Sequence, residues 1–314
     1  MKYSIGIDIG GTNTVIGIVN SSGKVIKKST LKTLPDNSPS DLFSRLYSVY
    51  ETWDIFIEGD ESLVGVGVGV PNGNYYTGFV NNPPNLGSEW QNVDLVSIAK
   101  HEFRVPSFIT NDASAAATGE LKFGKAKSMK HAILITLGTG LGSGLIVNGE
   151  IVYGFDGCAG ELGHMIVEED GRPCSCGNNG CLEMYVSAKG LDYTVNKFKS
   201  KYTTDDFISS LPNDKIPGNL IDSAYDKGNK GAVEIYEYTG KMLGVGLSQA
   251  SILLSPEAFI FYGGISKAKN RIFKYAYDEM NKRILKTQKG NIKLLLSDLP
   301  EGDAGIVGSA SLVW

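Results

Sequence analysis

Ile5-Gly6-Ile7-Asp8-Ile9-Gly10-Gly11-Thr12-Asn13-Thr14-Val15-Ile16-Gly17-Ile18-Val19 reads as strand, glycine-rich turn, strand. Ile5 to Ile9 and Val15 to Val19 are β-rich, and Gly10-Gly11-Thr12-Asn13 turns the chain between them. Ser21-Ser22-Gly23 then leads into a third strand over Val25 to Leu31. The same opening recurs: Ala132 to Leu137 is a strand, Gly138-Thr139-Gly140-Leu141-Gly142 a turn, and Gly144 to Val147 a strand. Placing Gly10 on Gly138 puts Thr12 on Gly140 and Val19 on Val147. That weak internal duplication predicts two related domains, each with a glycine hairpin turn.

The remaining elements follow from periodicity. Leu42, Phe43, Leu46, Val49, Tyr50 and Trp53 have helical spacing from Ser40 to about Ile57. Val64 to Val70 alternates valine with glycine and ends at Pro71, as in a buried strand with close backbone neighbours. A polar, aromatic segment runs from Asn72 to Trp90; its Tyr75, Tyr76 and Phe79 read equally as loop packing and as the rim of a substrate cleft. Then come a helix (Val93 to Phe103), a strand (Ser107 to Thr110) and a helix from near Ala113. Farther on, Ala232 to Leu254 is a long helix, Ala258 to Tyr262 a strand, Gly263-Gly264 a turn, and a further helix follows. The division is expected at 1–118, completed by a C-terminal helix at 303–314, and 119–302.

With 42% apolar residues in 314, both domains can build real cores. A net charge of −4 leaves no footprint for nucleic acid or an anionic membrane. No apolar run approaches the ~20 residues that span a bilayer, and Asp8 with the paired glycines interrupts the opening too early for a signal peptide. A soluble, cytoplasmic protein is expected.

Glycine turns between strands let backbone N–H groups approach phosphate oxygens, and Asp8 at a strand end suits a hydrated Mg2+ beside them. Hairpins also need glycine for their own geometry. Two such turns in equivalent places, one with an aspartate, favour nucleotide. Neither is a P-loop, and a strand rather than a helix follows Gly140, so neither is a dinucleotide fingerprint.

Gly160-Glu161-Leu162-Gly163-His164 is followed by Cys174-Ser175-Cys176 and Gly180-Cys181-Leu182-Glu183. One His and three Cys thus fall within eighteen residues, a compact zinc spacing. Tetrahedral Cys3His closure leaves no open position, so the expected zinc is structural. The plain alternative is a cysteine-rich loop without metal. Cys158 is taken as a small buried apolar residue, and His101 and His131 as surface or strand-edge groups. Asn111-Asp112 ends a strand just before Ala113-Ser114-Ala115-Ala116-Ala117. Asp112 reads either as a helix N-cap or as a carboxylate that takes a hydroxyl proton.

Together, Ile7 to Asn13, Asn111-Asp112-Ala113, Leu137 to Gly142, Gly160 to His164, the Cys174/Cys176/Cys181 segment and the closing Gly302-Asp303-Ala304-Gly305 resemble the ROK family of sugar kinases and repressors over essentially the whole chain. The resemblance implies an α/β, two-domain, actin-like (ribonuclease-H-like) ATPase fold with a cleft between domains and a zinc-binding insertion in the second. It implies Asp112 as catalytic base. Sugar contacts would come from Asn111, Glu161, His164 and Glu183, with Asn85 of Pro84-Asn85-Leu86 as a further one. His164, Cys174, Cys176 and Cys181 would hold zinc, and one imidazole nitrogen would face the metal and the other a sugar hydroxyl. Gly10, Gly11, Thr12, Gly138, Thr139 and Gly140 would meet ATP phosphates, Asp8 would hold Mg2+ through water, and Gly263-Gly264 would take the adenosine. Val15, where many members carry Lys or Arg, and Asn72, where Pro-Gly is common, depart from the pattern.

The implied activity is transfer of the γ-phosphoryl group of ATP to the 6-hydroxyl of glucose, by a homo-oligomer (dimer or tetramer) that uses neither nucleic acid nor membrane. N-acetylmannosamine, N-acetylglucosamine and fructose kinases are the near alternatives. A sugar-sensing regulator is another class, as is a non-catalytic sugar-binding protein. Only seven residues precede Asp8, which argues against a helix-turn-helix ahead of the first turn.

Overall fold

The structure, a computed structural model, describes residues 2–53, 62–203, 205–300 and 302–314. The chain opens with β1 (Lys2–Ile9), β2 (Asn13–Asn20), β3 (Val25–Lys32), α1 (Pro39–Glu51), β4 (Ser62–Gly69), β5 (Phe79–Val80), β6 (Val93–Asp94), α2 (Leu95–Phe103), β7 (Ser107–Thr110) and α3 (Asp112–Phe123). It continues with β8 (Ala132–Leu137), β9 (Leu141–Val147), β10 (Glu150–Val152), α4 (Glu183–Val186), α5 (Ala188–Lys201), α6 (Asp206–Ser210), α7 (Gly218–Asp226) and α8 (Lys230–Leu254). β11 (Ala258–Tyr262), α9 (Asn270–Arg283), β12 (Lys293–Leu296) and α10 (Ala304–Ser311) complete it.

Two mixed five-stranded sheets share one plan, with orders β3-β2-β1-β4-β7 and β10-β9-β8-β11-β12. In the first, β1–β2 and β2–β3 are antiparallel, whereas β4 and β7 run parallel to β1. The repeated order is the structural form of the duplication read from the two glycine turns. Described residues fall into two compact units: Met1–Lys130, Gly144–Gly160 and Ser297–Trp314 form the first, His131–Ser143 and Glu161–Leu296 the second.

The valine–glycine alternation of β4 has a packing cause. Val66 and Val68 join Ile5, Ile7, Leu42, Phe43, Leu46 and Trp90 in the core of the first unit. The glycines accept α10: a Cβ on Gly6 would stand 1.9 Å from the Ile306 carbonyl oxygen, and one on Gly67 1.8 Å from that of Ser309.

Some boundaries differ from expectation. α1 starts at Pro39 because the Ser38 hydroxyl accepts from Asp41 N, and it ends at Glu51 with Thr52 as its C-cap, short of the expected Trp53 and Ile57; residues 54–61, Ile57 among them, lie outside the described residues. α2 starts at Leu95, not Val93, because the Asp94 carboxylate accepts from Ser97 N (3.0 Å) while Val93–Asp94 pairs with Phe79–Val80. β9 starts at Leu141, since strand geometry runs through the glycines instead of waiting for Gly144. Cys158 is exposed, not buried; it lies in a turn between positive-φ Gly157 and Gly160, which leads outward rather than into a core. Among the described residues no helix is long and apolar enough to cross a membrane.

Candidate functional site

In the first unit, the glycine turn is held from below. The Thr33 hydroxyl donates to Gly10 O (2.6 Å), Thr33 N donates to Thr12 O (3.1 Å), and the Thr14 and Thr33 hydroxyls meet at 3.0 Å. Asn85, in the left-handed region at φ 66°, lies directly against this turn, where a Cβ on Gly11 would stand 2.6 Å from its Cβ. Asn72 also takes a left-handed φ of 56°, which Asn tolerates, and its amide donates to Asn81 O and Asn82 O. That is the physical account of an Asn where Gly is common.

Asp112 is not the helix cap. Asn111 is: its Oδ1 accepts from Ala113 N (2.8 Å) and Ser114 N (3.4 Å). Asp112 is the first helical residue, and its own Oδ1 accepts from Ala113 N at 2.9 Å. The residue keeps an exposed side, yet dense surroundings push its pKa up, against the downward pull of the Ala113 N–H.

Asp8 ends β1, paired across the ladder with Val15 of β2 and Gly69 of β4. Burial, and then the charge of Asp112, raise its pKa to about 6. Gly305 leaves the space it occupies, since a Cβ there would stand 2.1 Å from Asp8 Oδ2. With Val15 in place of a basic residue, no cation offsets this carboxylate from across the strand pair. A desolvated carboxylate beside a second one fits a hydrated divalent cation.

A consequence for stability follows. The folded pKa of Asp8 lies above its unfolded value of 3.8, so the charged form opposes folding above pH 6, and the penalty fades as pH falls toward 4. In metal-free protein, Asp8→Asn is expected to raise stability by up to about 3 kcal/mol at pH 8, with the gain shrinking below pH 6. Denaturant melts at pH 8 and pH 4.5 check this; a gain independent of pH, or a loss at pH 8, contradicts it.

In the second unit, Gly138 N donates to Gly140 O (3.0 Å) and Ala188 N to Gly138 O (2.9 Å). Gly138 and Thr139 are exposed, and no other atom lies within 4 Å of where a Gly138 Cβ would be. The Gly263-Gly264 turn packs against the end of the same strand: at Gly263 (φ 103°) a Cβ would stand 2.4 Å from Leu137 O. Glu183 reaches this turn too, accepting from Leu141 N at 2.8 Å through Oε2. Its approach requires Gly140, whose Cβ would stand 2.5 Å from that oxygen.

The ligand atoms of His164, Cys174, Cys176 and Cys181 all lie within 4.8 Å of one another. His164 Nδ1 is 3.7 Å from Cys174 Sγ, and Cys176 Sγ is 3.6 Å from Cys181 Sγ. A tetrahedral zinc with ~2.3 Å sulfur bonds has sulfur–sulfur edges of about 3.8 Å, so the donor set fits zinc. Burial pushes the Cys181 thiol up to about 12, while the Asn178 N–H brings Cys176 down to about 7; a cation is what would make the buried thiolate favourable. The imidazole turns Nδ1 to the cluster and Nε2 toward Glu161, 4.0 Å from its Oε2.

The loop that carries the cysteines is anchored by Arg172, a residue the sequence reading passed over. Its guanidinium donates to Met184 O (2.7 Å), Gly190 O (2.8 Å) and Thr194 Oγ1 (3.0 Å) and lies 4.5 Å above the Tyr185 ring. Thr33 has no local signal in the sequence, and Gly305, though part of the closing motif, gives no sign there of its place beside Asp8. A recess of about 430 Å3 lined by Val96, Lys100, Arg104, Val105, Pro106 and Ser107 contains none of the expected site residues.

Fold and sites together define a mixed α/β protein built on a duplicated strand–glycine-turn–strand sheet, with a Cys3His cluster in its second unit. The chain belongs to the ROK family, whose sequence model matches residues 4–314. A glucokinase of Thermotoga maritima is 33% identical over 312 residues, covering 98% of this chain and 96% of that protein. A xylose repressor of Bacillus subtilis is 30% identical over 316 residues, covering 99% of this chain and 77% of the repressor. The crystal structure of a ROK family glucokinase from Streptomyces griseus in complex with glucose and AMPPNP aligns with a TM-score of 0.80 at 28% identity, covering 99% of this chain and 98% of that one.

Proposed function

We propose that this chain is an ATP-dependent hexose kinase of the glucokinase type, built on the two-domain actin-like plan and divided at 1–118 with 303–314 and 119–302. The observation that carries the reading is the Asp8–Asp112 pair. Asp8 is paired across the ladder with Gly69, and a Cβ on Gly69 would stand 3.6 Å from Asp112 Cα, so the two carboxylates belong to one neighbourhood of one unit, where the charge of Asp112 adds to burial in raising the Asp8 pKa. One carboxylate can hold a hydrated cation while the other takes a proton.

In the proposed reaction the 6-hydroxyl oxygen of glucose attacks the γ-phosphorus of ATP. The bond from that phosphorus to the β,γ-bridging oxygen breaks, ADP leaves, and the hydroxyl proton passes to the Asp112 carboxylate. Asn85, Asn111, Glu161, His164 and Glu183 hold sugar hydroxyls and orient them. Backbone N–H groups of Gly10, Gly11, Thr12, Gly138, Thr139 and Gly140 meet the phosphates, and Gly263-Gly264 the adenosine. Asp8 would hold a hydrated Mg2+, which supplies charge neutralisation on the phosphates. His164, Cys174, Cys176 and Cys181 would hold the zinc, and the bond at Nδ1 would fix the His164 ring and the angle of its Nε2.

Similarity to glucokinases supports glucose over the N-acetylhexosamines and fructose. Similarity to a xylose repressor supplies the competing reading, a sugar sensor. A coupled ADP-release assay over glucose, N-acetylglucosamine, N-acetylmannosamine and fructose tests both. The expected result is ATP turnover highest with glucose. Sugar binding by calorimetry with no turnover on any of the four would overturn the kinase reading in favour of the sensor.

A further inference from the structure

Arg172 holds more than its own loop. On the main chain, Arg172 N donates to the Tyr185 hydroxyl (2.9 Å), and Arg172 O accepts from Gly180 N (2.8 Å). The second bond closes the base of a hairpin whose tip carries Cys174 and Cys176. Above that base Pro173 bridges Asn179, and Cys174 N donates to Asn178 O (2.9 Å). The first bond ties the base to α4. Gly171 makes this approach possible, since a Cβ there would stand 2.2 Å from the Tyr185 hydroxyl oxygen.

The side chain reaches the other way. α4 is a single turn, Glu183–Val186, with no side-chain cap, and a helix this short has no stability of its own. Ala188 N, the donor that a longer helix would give the Met184 carbonyl, goes to Gly138 O instead. The Arg172 guanidinium takes that carbonyl, and it also reaches Gly190 O and Thr194 Oγ1 in α5. The rings of Tyr185, Tyr193 and Tyr238 surround it at 4.5, 5.7 and 5.7 Å, where aromatic faces attract a cation. A planar fork with fixed donors suits this corner, and a flexible ammonium does not. None of these bonds uses a cysteine sulfur or the imidazole. Glu183 opens the turn that is fixed in this way, and its Oε2 accepts from Leu141 N at 2.8 Å.

We propose that Arg172, through Tyr185 and α4, is a positioning residue. It keeps Glu183 aimed at the second glycine turn independently of the metal, and confines the metal's effect to His164 and the cysteine hairpin. This rests on the hexose-kinase reading, in which Glu183 holds a sugar hydroxyl, and names what orients that contact.

Hydrogen exchange read by mass spectrometry, on zinc-loaded and chelated protein without sugar or nucleotide, tests the anchoring. In wild type, chelation should speed exchange over 173–179 and leave 183–194 protected. In Arg172→Met the fast region should extend through 183–194 once the metal is removed. Glucose calorimetry and kinetics on the zinc-loaded forms test the positioning. Arg172→Met should keep its zinc and raise Kd and KM for glucose by roughly 10-fold, as for one misdirected hydrogen bond to a charged group, while kcat moves less than about 2-fold. Tyr185→Phe removes only the hydroxyl and should shift both constants the same way by less, which keeps the test decisive if Arg172→Met does not fold. Arg172→Lys should restore little of the loss. A merely structural Arg172 would lower the melting temperature and the active fraction and leave KM alone, and that result overturns the proposal. Loss of protection over 183–194 in chelated wild type overturns it too. Exchange that changes as expected in a protein binding none of glucose, N-acetylglucosamine, N-acetylmannosamine and fructose would strike the hexose-kinase reading and uphold the anchoring of α4 by Arg172.

Discussion

Asp112→Asn should lower turnover by roughly 10²–10⁴-fold, the usual worth of a positioned general base, with little change in sugar affinity and a melting temperature at neutral pH that holds or rises, since a carboxylate of raised pKa is removed. The geometry makes this substitution cleaner than the sequence suggests. The cap of α3 is carried by Asn111, not by Asp112, so the helix start is untouched. The oxygen that accepts from Ala113 N at 2.9 Å is retained in an asparagine. What is removed is the capacity to take a proton. The pH profile gives a second reading. Burial holds the carboxyl of Asp112 above the ordinary aspartate range, and only the ionised form is a base. Wild-type kcat should therefore fall as pH is lowered through that raised pKa, and the variant should lack this limb. Near-normal turnover in Asp112→Asn would falsify the assignment and leave the residue a structural neighbour of the cap.

Loss of the metal is the second large effect. Purified protein is expected to carry about one tetrahedral zinc per chain, and Cys181→Ser to lose it, because Cys181 is the buried member of the cluster. Structural zinc contributes roughly 10–16 kcal/mol of apparent binding energy in isolated finger peptides. Only part of that should appear as global stability here, since α5, α8 and the second sheet have a core of their own. Chelation should first free His164 and the cysteine loop, weakening glucose binding, and unfold the unit only afterwards. Metal analysis, glucose calorimetry and thermal melts on one chelated sample check the order. An active preparation without zinc, or unfolding that precedes any loss of sugar affinity, overturns it.

Short buried strands were the most legible part of the fold. Ser107–Thr110, Ala132–Leu137 and Ala258–Tyr262 have the ends expected of them, because compact apolar runs bounded by turns leave little latitude. Ends set by side-chain competition were not legible in the same way. The Asp94 carboxylate takes the role of cap and postpones α2 by two residues. The Cys3His cluster could be read because its four members are close in sequence and their chemistry is restrictive. The supports of the sites could not. Thr33 acts on Gly10 and Gly305 makes room for Asp8, each across a separation that no local pattern encodes. Cys158 shows the reverse error: a habit of the residue type was outweighed by glycine turns on either side of it.

The seat of α10 on β1 and β4 has a consequence for how the chain comes into being. Ser4 Oγ donates to Ala310 O across 306 residues, and the bare backbones of Gly6 and Gly67 are complementary to that helix. During synthesis β1 and β4 emerge well before the helix that covers their glycine face, with Ser4 and its partner Ala310 separated by 306 residues. Until then one side of the sheet must stay hydrated or be held by a chaperone, exposing the transient apolar surface that favours aggregation. Contacts this distant in sequence also slow closure of the nucleus. His131–Ser143 and Glu161–Leu296, both translated before that helix, make up the second unit, which is free to fold while the first waits for α10.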